Sequence, residues 1–512
     1  MMKRTIAFLA SLFTVFQFMS AQTSLDINVS VESSCDGLSK GKAIVTGVRY
    51  DFESLYPSDS EKEKAKVAGS YYIDFEQKDK VITVLCSEAP KRFAITSLDD
   101  SIQSFWDVQT IASLPSLSRL SDLYGIRSAQ EEDVMNYVSN LEKLGYTFDD
   151  PYLLSYLYSL LLKVFPNRKL DGFPYSMNIV IANDDSMNAY VFPNGTMIIN
   201  TGLLANVHTE DELVAIMAHE IGHFAANHSL VNIQKQEQRA NRAEAWAALA
   251  TVLAAGTEVY MGSQGYYTGG AFTATTAVLS SAIVDSAMSQ IGIEYSRTQE
   301  SDADDMAVAA LGLLGYDTNA LSTVLSRMAE LYNEEGNWAA YYLSGDHPSL
   351  NERIAKHGQP DLRRDHEFEK KVSFAVTNMA VSKYNLGRFA QALKYVDQNI
   401  EIGVATDDDY LIKANCLMNL RNDKSSMSEA LALIRKAKTI NSENINILKA
   451  EILAAIRLEQ FADAHQLILE YQDRLQDSMS LVEFGSPVYN SLSDEFDWSR
   501  RMGVKLAGWQ KS

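Results

Sequence analysis

The spacing of apolar residues divides the chain into a strand-rich start and a long helical remainder. Between residues 22 and 100, short runs rich in β-branched and aromatic residues alternate with polar stretches, which is typical of strands. The predicted strands are Ala43–Val48, Tyr71–Phe75, Val81–Leu85 and Phe93–Ile95. We therefore predict a small β-rich region at 22–100, in which the sequence indicates no chemistry.

Beyond residue 100, apolar positions recur every three to four residues, which predicts helices at Glu131–Leu144 and Tyr152–Phe165. A strand is predicted at Ile179–Ile181. The sequence Pro193-Asn194-Gly195 favours a tight turn, so the apolar residues on either side of it predict a β-hairpin. The region 101–365 should therefore combine helices with a small sheet.

Another helix is predicted to begin after Thr209. Thr209 is a suitable N-cap, and Glu212 three residues later completes a capping-box pattern. Apolar residues at helical spacing from Leu213 to Phe224 supply a buried face. Because a glycine weakens an exposed helix, we interpret Gly222 as a position where another element packs closely.

Residues 243–293 are rich in Ala, Thr, Gly and Tyr and contain neither Lys nor Arg. A membrane-spanning helix needs about 20 mostly apolar residues. The apolar part of this segment, Ala271–Val284, has only 14. We therefore predict a buried helical hairpin or a lid, which could touch a membrane but not span it.

The chain beyond residue 370 has a helical pattern with a repeat. Ala392, Ala430 and Ala464 occupy similar places in successive segments, and their spacing is near that of tetratricopeptide repeats. We predict tetratricopeptide-like repeats at 370–490, with a plain helical bundle as the alternative, and a C-terminal tail at 491–512. The predicted fold class is α+β and mainly helical: a domain with a β-hairpin edge, at 101–365, lies between the small β-rich region and the repeats.

The first residues predict an export signal. Lys3 and Arg4 precede an apolar stretch and a small-residue cleavage site, so we predict a signal peptide at 1–21 and an exported protein, most simply in the periplasm of a Gram-negative bacterium. In such an oxidising compartment Cys35 and Cys86 are candidates for a disulfide, whereas Cys416, in a helical region, is predicted to be a buried free thiol.

The net charge of the chain limits the kinds of molecule that it can bind. The chain has 45 Lys and Arg against 66 Asp and Glu, which gives a net charge of −21. A protein this acidic repels phosphate backbones, so we expect no nucleic-acid partner. Anionic membrane surfaces are also poor electrostatic targets for it.

The sequence His219-Glu220-Ile221-Gly222-His223 carries the clearest chemistry. On a helix, residues four apart share a face, so both imidazoles can reach one metal ion. Glu220 lies on an adjacent face, where it can act on a water without binding the metal. Zinc lowers the pKa of such a water toward about 7, and a carboxylate general base completes the requirements of peptide hydrolysis.

A catalytic zinc needs a third protein ligand from another segment. Glu300 is the best candidate, and Asp304 lies one helical turn later, where it could accept an imidazole N–H and orient that ring. Asp302 and Asp305 are competitors that project from other faces. We expect one zinc ion per chain.

These motifs resemble the gluzincin metallopeptidases related to CAAX prenyl protease and HtpX, which implies that 101–365 is a zincin-type metallopeptidase domain. The resemblance covers about 120–360 and rests on the His219–His223 motif with its helix, the Glu-x-x-Ala-Asp sequence from Glu300, the preceding hairpin, and His347-Pro348 followed by Arg353. The N-terminal β-rich region has no counterpart in that pattern.

The resemblance implies roles residue by residue. His219, His223 and Glu300 would bind zinc, and Glu220 would be the general base. Asn188 and Ala189 would belong to an edge strand along which an extended peptide pairs. His347 would lie near the metal as an oxyanion stabiliser or as a resting-state ligand, with simple packing as its alternative, and Arg353 would contact substrate. His208 and His228 are interpreted as structural or exposed, because neither shares the face of the ligand pair.

Two functions remain open from the sequence. The first is a zinc endopeptidase that cleaves unfolded or misassembled envelope proteins, with repeats that recruit substrates or the outer-membrane assembly machinery. The second is a periplasmic chaperone or adaptor that binds protein partners through the repeats and has a regulated or idle zinc site. Glu220 favours the first, because an idle site needs no base.

Overall fold

The computed structural model describes residues 27–31, 40–50, 71–85, 93–97, 100–117, 123–143, 145–148, 150–166, 177–236, 295–335 and 350–509. Four predictions fall outside these residues: the signal peptide, the Cys35–Cys86 pair, the 243–293 hairpin or lid, and the role of His347.

An antiparallel five-stranded sheet forms the N-terminal part. Its strands are β1 Ile27–Val31, β2 Lys42–Tyr50, β3 Tyr71–Gln77, β4 Lys80–Leu85 and β5 Phe93–Ser97, in the order β4-β3-β2-β1-β5. The four predicted strands are confirmed, and β1 is an addition. Ile73 and Phe75 alternate with polar neighbours and are fully buried, so this face joins the main core.

Three helices lead from this sheet to the next: α1 Ile102–Leu117, α2 Leu123–Lys143 and α3 Pro151–Val164. Asp150 caps α3 by accepting a hydrogen bond from the Leu153 amide at 2.7 Å. The Trp106 indole of α1 donates to the Val164 carbonyl at 2.8 Å. These contacts fix α1 between the N-terminal sheet and the helices that follow.

The second sheet has three strands, β6 Asn178–Ala182, β7 Ala189–Val191 and β8 Thr196–Asn200, in the order β6-β8-β7. β6 runs parallel to β8, and β7 runs antiparallel to it. Gly195 adopts a φ of 86°, which the turn requires and which glycine tolerates. The predicted hairpin is therefore confirmed, and β7 is an edge strand among the described residues.

After β8 the chain forms α4 Thr201–Asn206, α5 Glu210–Ala225 and α6 His228–Gln236. The Thr209 hydroxyl accepts from the Glu212 amide, as predicted for the N-cap. The reciprocal half of the capping box is absent from the described contacts. Arg327 instead donates to the Glu212 carboxylate at 2.7 Å, which holds this carboxylate toward another helix.

The next helices are α7 Arg297–Leu314, α8 Ala320–Glu335, α9 Leu350–Lys356 and α10 His366–Lys371. α7 begins with a capping box between Ser296 and Gln299 and packs directly against α5. A Cβ at Gly222 would lie only 3.3 Å from the Ala303 Cα, so glycine permits this approach as the sequence predicted.

The C-terminal part consists of antiparallel helices packed in succession. They are α11 Ser373–Asn385, α12 Phe389–Glu401, α13 Asp407–Leu420, α14 Lys424–Ile440, α15 Ile445–Arg457, α16 Phe461–Ser480 and α17 Pro487–Trp509. Ala392, Ala430 and Ala464 are fully buried, which suits close helix packing. Cys416 is a buried free thiol, as predicted. The assignment to tetratricopeptide repeats stays a prediction.

The structure differs from the sequence prediction at two of the predicted domain boundaries. The predicted tail at 491–512 lies mostly in α17, whose Leu492 and Leu506 are buried against α16 because they recur at helical spacing. Phe368 and Val372 belong to the same hydrophobic core as α5 and α7, so a division at residue 370 passes through packed side chains.

No helix in the described part of the chain is both long and apolar enough to cross a membrane.

The packing of α5 on α7 generates a first prediction. Gly222→Ala should lower the free energy of unfolding by about 1–3 kcal/mol, because the new methyl group presses on the α7 backbone at Ala303. Gly222→Val should lower it further. Thermal unfolding of the purified variants measures both effects.

Gly312→Ala on α7 is the matched control. A Cβ there would meet only the Thr318 methyl group, at an ordinary 3.7 Å, so this variant should unfold at or above the wild-type temperature. Equal stability of the Gly222 and Gly312 variants would contradict the close-packing interpretation.

Candidate metal centre

Helices α5 and α7 bring three potential ligands together. The Nε2 atoms of His219 and His223 are 3.1 Å apart. The Glu300 carboxylate oxygens lie 3.6 Å from the first and 3.8 Å from the second. All three side chains are buried, and among the described residues they form the group of His, Cys, Asp and Glu that could hold a metal ion.

These distances suit a small tetrahedral ion. Zinc–ligand bonds of about 2.0–2.2 Å imply ligand–ligand edges of about 3.3–3.6 Å, which is close to the separations observed here. The sequence left Asp302 and Asp305 as alternatives to Glu300 for the third ligand. Both are exposed on the outer side of α7, whereas Glu300 faces α5.

Asp304 supports the centre from behind His219. Its Oδ1 lies 3.0 Å from the His219 Nδ1, as the sequence predicted. Burial would raise the pKa of Asp304, but its contacts with His219, His357 and Arg353 hold that pKa far below its usual range. The carboxylate is therefore a fixed negative charge that orients the His219 ring.

Arg353 of α9 binds this carboxylate through two hydrogen bonds, of 2.9 and 2.7 Å. Its guanidinium also lies 3.2 Å from Glu300. The expected substrate contact of Arg353 stays a prediction, since the observed partners are carboxylates of α7. His357, directly after α9, places its Nε2 3.5 Å from Asp304. The sequence analysis did not single out His357.

His223 has a different surrounding, which sequence reasoning missed. Its Nδ1 lies 3.0 Å from the His228 Nδ1, and the Tyr295 ring stacks on it at 3.6 Å. If α5 continued without a break, the His228 side chain would point away from His223. Instead α5 ends at Ala225, and Asn227 adopts a φ of 54°, which redirects the chain. The interpretation of His228 as structural holds, and its contact identifies it as a support of His223.

The two histidines differ electrostatically. Burial would lower the pKa of His219, but the adjacent Asp304 carboxylate outweighs this and raises it. Asp304 opposes the fall in the pKa of His223 only weakly, so burial and the neighbouring His219 and His228 hold that pKa well below the usual value. A neutral imidazole at His223 is the form that binds metal.

Glu220 lies on the strand side of the pair. Burial raises its pKa to about 7, and a hydrogen bond from the Val191 amide of β7 opposes that rise. Its Oε2 is buried and has no hydrogen-bond partner within the described ranges. A buried carboxylate with an unused oxygen and a pKa near neutrality is suited to exchange a proton with a bound molecule.

The predicted substrate strand lies beside Glu220. Asn188 is exposed and directly precedes β7, and Ala189 is the first residue of that strand. The structure thus brings together the three potential ligands, Glu220 and β7. His347 lies outside the described residues.

The ligand geometry generates a second prediction. His219→Ala, His223→Ala and Glu300→Ala should each abolish stoichiometric zinc binding, because each removes one of three ligands. Glu220→Gln should retain one zinc per chain. Elemental analysis after dialysis measures the content.

Asp302→Ala is the control on the exposed side of α7, and it should bind zinc as the wild type does. Full occupancy in Glu300→Ala would place the third ligand elsewhere.

The raised pKa of Glu220 generates a third prediction, for the metal-free protein. Folded protein keeps the Glu220 proton between about pH 4.5 and 7 while unfolded protein releases it, so this group makes stability fall as pH rises through that window. Glu220→Gln removes the penalty. At pH 8 it should raise the free energy of unfolding by about 2–3 kcal/mol, and at pH 4.5 by less than about 1 kcal/mol.

Urea unfolding in the presence of a chelator measures this difference across the pH range. Glu131→Gln, on the exposed side of α2, is the control and should leave the wild-type pH dependence unchanged. Parallel curves for wild type and Glu220→Gln would contradict the buried-carboxylate interpretation.

Known proteins share this arrangement in sequence. Residues 155–359 match the model of peptidase family M48. A putative beta-barrel assembly-enhancing protease of Vibrio cholerae is 25% identical over 275 residues, which cover 54% of this chain and 50% of the relative. The beta-barrel assembly-enhancing protease of Escherichia coli K12 is 25% identical over 38% of this chain and 36% of its own length.

The metalloprotease LoiP of the same E. coli strain is 28% identical over 39% of this chain and 67% of its own length. The chain thus spans half or less of the two assembly-enhancing proteases that it matches. The matched segment contains His219, Glu220, His223, Glu300 and Asp304, the residues that the fold gathers at the α5–α7 contact. The segment 155–359 is therefore similar to peptidase family M48, and its buried group of two histidines and a glutamate is a ligand set suited to a metallopeptidase.

Proposed function

We propose that the protein is a zinc-dependent endopeptidase of the bacterial cell envelope. The observation that carries this proposal is the position of Glu220, a buried carboxylate with one unused oxygen beside three convergent ligands. A site that only stores or senses metal would gain nothing from such a group, because burying an unsatisfied carboxylate is costly.

Each side chain has a defined task in this proposal. His219, His223 and Glu300 hold the zinc ion, which would act as a Lewis acid on the scissile carbonyl and the attacking water. Asp304, itself held by Arg353, keeps the His219 ring oriented. Glu220 accepts the proton from the attacking water and delivers it to the leaving amine, which its pKa of about 7 suits.

The edge strand defines the form of the substrate. An extended peptide can pair with the open side of β7, and this would place its backbone next to Glu220 through Val191. Asn188 and Ala189 would contact it directly. Because a segment must be extended and unpaired to add in this way, we propose unfolded or misassembled envelope proteins as substrates. The assembly-enhancing relatives support this choice.

The remaining parts support an envelope location. The predicted signal peptide favours export to the periplasm of a Gram-negative bacterium. The stack α11–α17 is proposed to recruit substrates or the outer-membrane assembly machinery as tetratricopeptide-like repeats. Association with a membrane surface is compatible with this role, whereas a nucleic-acid partner is not, because the net charge is −21.

The alternative is a chaperone or adaptor whose zinc site is regulated or idle. The long helical stack favours it, since such stacks commonly bind protein partners. The two functions differ in whether Glu220 is needed.

The fourth prediction separates them. Glu220→Gln should keep its zinc but lose peptide hydrolysis by about 10²–10⁴-fold, because it cannot accept the water's proton. Zinc content and cleavage of casein, measured on the same preparations, test this.

Asp302→Asn is the control and should cleave casein at the wild-type rate, since this residue is exposed away from the centre. Near wild-type cleavage by Glu220→Gln would contradict the assignment. Undetectable cleavage by zinc-loaded wild type, with capture of unfolded envelope proteins intact, would favour the adaptor.

A further inference from the structure

A buried lysine of the C-terminal helices contacts the loop that leads into the edge strand. Lys383 of α11 is only 2% exposed, and its Nζ lies 3.3 Å from the Asp185 carboxylate. Ser382 donates a hydrogen bond of 2.6 Å to the same carboxylate. A lysine is rarely this buried without a paired anion, so the contact fixes the position of Asp185 relative to α11.

A second contact joins the same two elements. Asn378, one helical turn before Ser382, donates hydrogen bonds to the Asn183 side chain and, at 3.3 Å, to the Thr201 hydroxyl. Ala205 of α4 and Val376 of α11 are also buried in one hydrophobic cluster. One face of α11 thus binds both the loop 183–187 and the helix that follows β8.

The loop 183–187 has little freedom to adjust. The Asp184 carboxylate accepts from the Ser186 amide at 2.7 Å, and the Asp184 carbonyl accepts from the Gly202 amide at 2.8 Å. A Cβ at Gly202 would lie 2.4 Å from the Asp185 carbonyl oxygen, so the loop rests directly on α4. A displacement of Asp185 would therefore move the residues that follow it in the loop.

The loop continues into the strand beside the base. The Asn188 amide donates to the Ser186 carbonyl at 2.8 Å, and β7 begins at the next residue. This strand packs against α5, the helix that carries Glu220. Contacts therefore run without a break from Lys383 to the open edge of β7.

We propose that Lys383 is a positioning residue: through Asp185 it holds the edge strand β7 in the place where an extended peptide binds. This inference rests on the proposed peptidase function and adds that the C-terminal helices control substrate binding at the strand. They act there and not on the ligands, because every contact of α11 described above reaches the loop or α4, whereas α5 and α7 carry the zinc site.

Lys383→Met tests the proposal in the zinc-loaded full-length protein, since methionine keeps most of the side-chain length and removes the charge. Amide hydrogen exchange at 188–191 should become about tenfold faster, with exchange in α5 unchanged. For an extended ten-residue peptide, KM should rise about fivefold or more while kcat stays within about twofold and zinc content stays at one per chain.

Ser382→Ala removes one hydrogen bond to Asp185 and leaves the charge in place, so it should shift exchange and KM in the same direction by less. It carries the test if Lys383→Met does not fold. Lys413→Met is the control, because Lys413 pairs with Asp397 at 2.6 Å within the C-terminal stack, and it should change neither quantity.

The double variant Lys383→Met/Asp185→Asn should be no worse than the more impaired single variant, because both remove the same contact. Unchanged exchange at 188–191 in Lys383→Met, or equal acceleration in every element, would overturn the inference. If wild type cleaves no peptide, the proposed function fails, and the exchange comparison still decides whether Lys383 holds β7.

Discussion

The close contact between α5 and α7 is the constraint on which the metal centre depends. Two ligands come from α5 and the third from α7, so ligand separations of 3.1–3.8 Å require the helices to approach nearly to backbone contact. Gly222 allows that approach beside Ala303. Strand β7, α1 and α8 pack against this pair and hold it in place.

Buried charges then give the centre its asymmetry. Asp304 contacts His219 from one helix and Arg353 from another, so its buried carboxylate is paired on two sides. His223 instead contacts a second histidine, His228, and stacks on the Tyr295 ring. Glu220 alone keeps an unused oxygen among these side chains, and that difference separates a reacting group from its supports.

The features that followed from sequence are those encoded by short-range spacing. His219, His223, Glu300 and Asp304 lie four apart on two helices, so helical geometry alone indicates how each pair faces the metal. The hairpin around Pro193-Asn194-Gly195 is equally local, and the structure contains it.

The missed features depend on changes of chain direction or on partners far along the chain. His228 meets His223 only because the helix breaks at Asn227, and nothing in the spacing indicates that break. The tail predicted at 491–512 lies mostly in α17, which buries its leucines against α16. The sequence analysis did not single out Lys383, because burial is a property of the tertiary fold.

The contact between Ser382 and Asp185 joins residues 197 positions apart. Closing such a large loop costs entropy that local helices do not incur, so contacts of this kind form late in folding. A chain emerging from its N-terminus would have the residues of both ligand helices long before α11 is available to brace the strand. Positioning of β7 would therefore wait for synthesis of α11, and under the proposed function a shorter nascent chain would contain its metal ligands before it could bind a peptide.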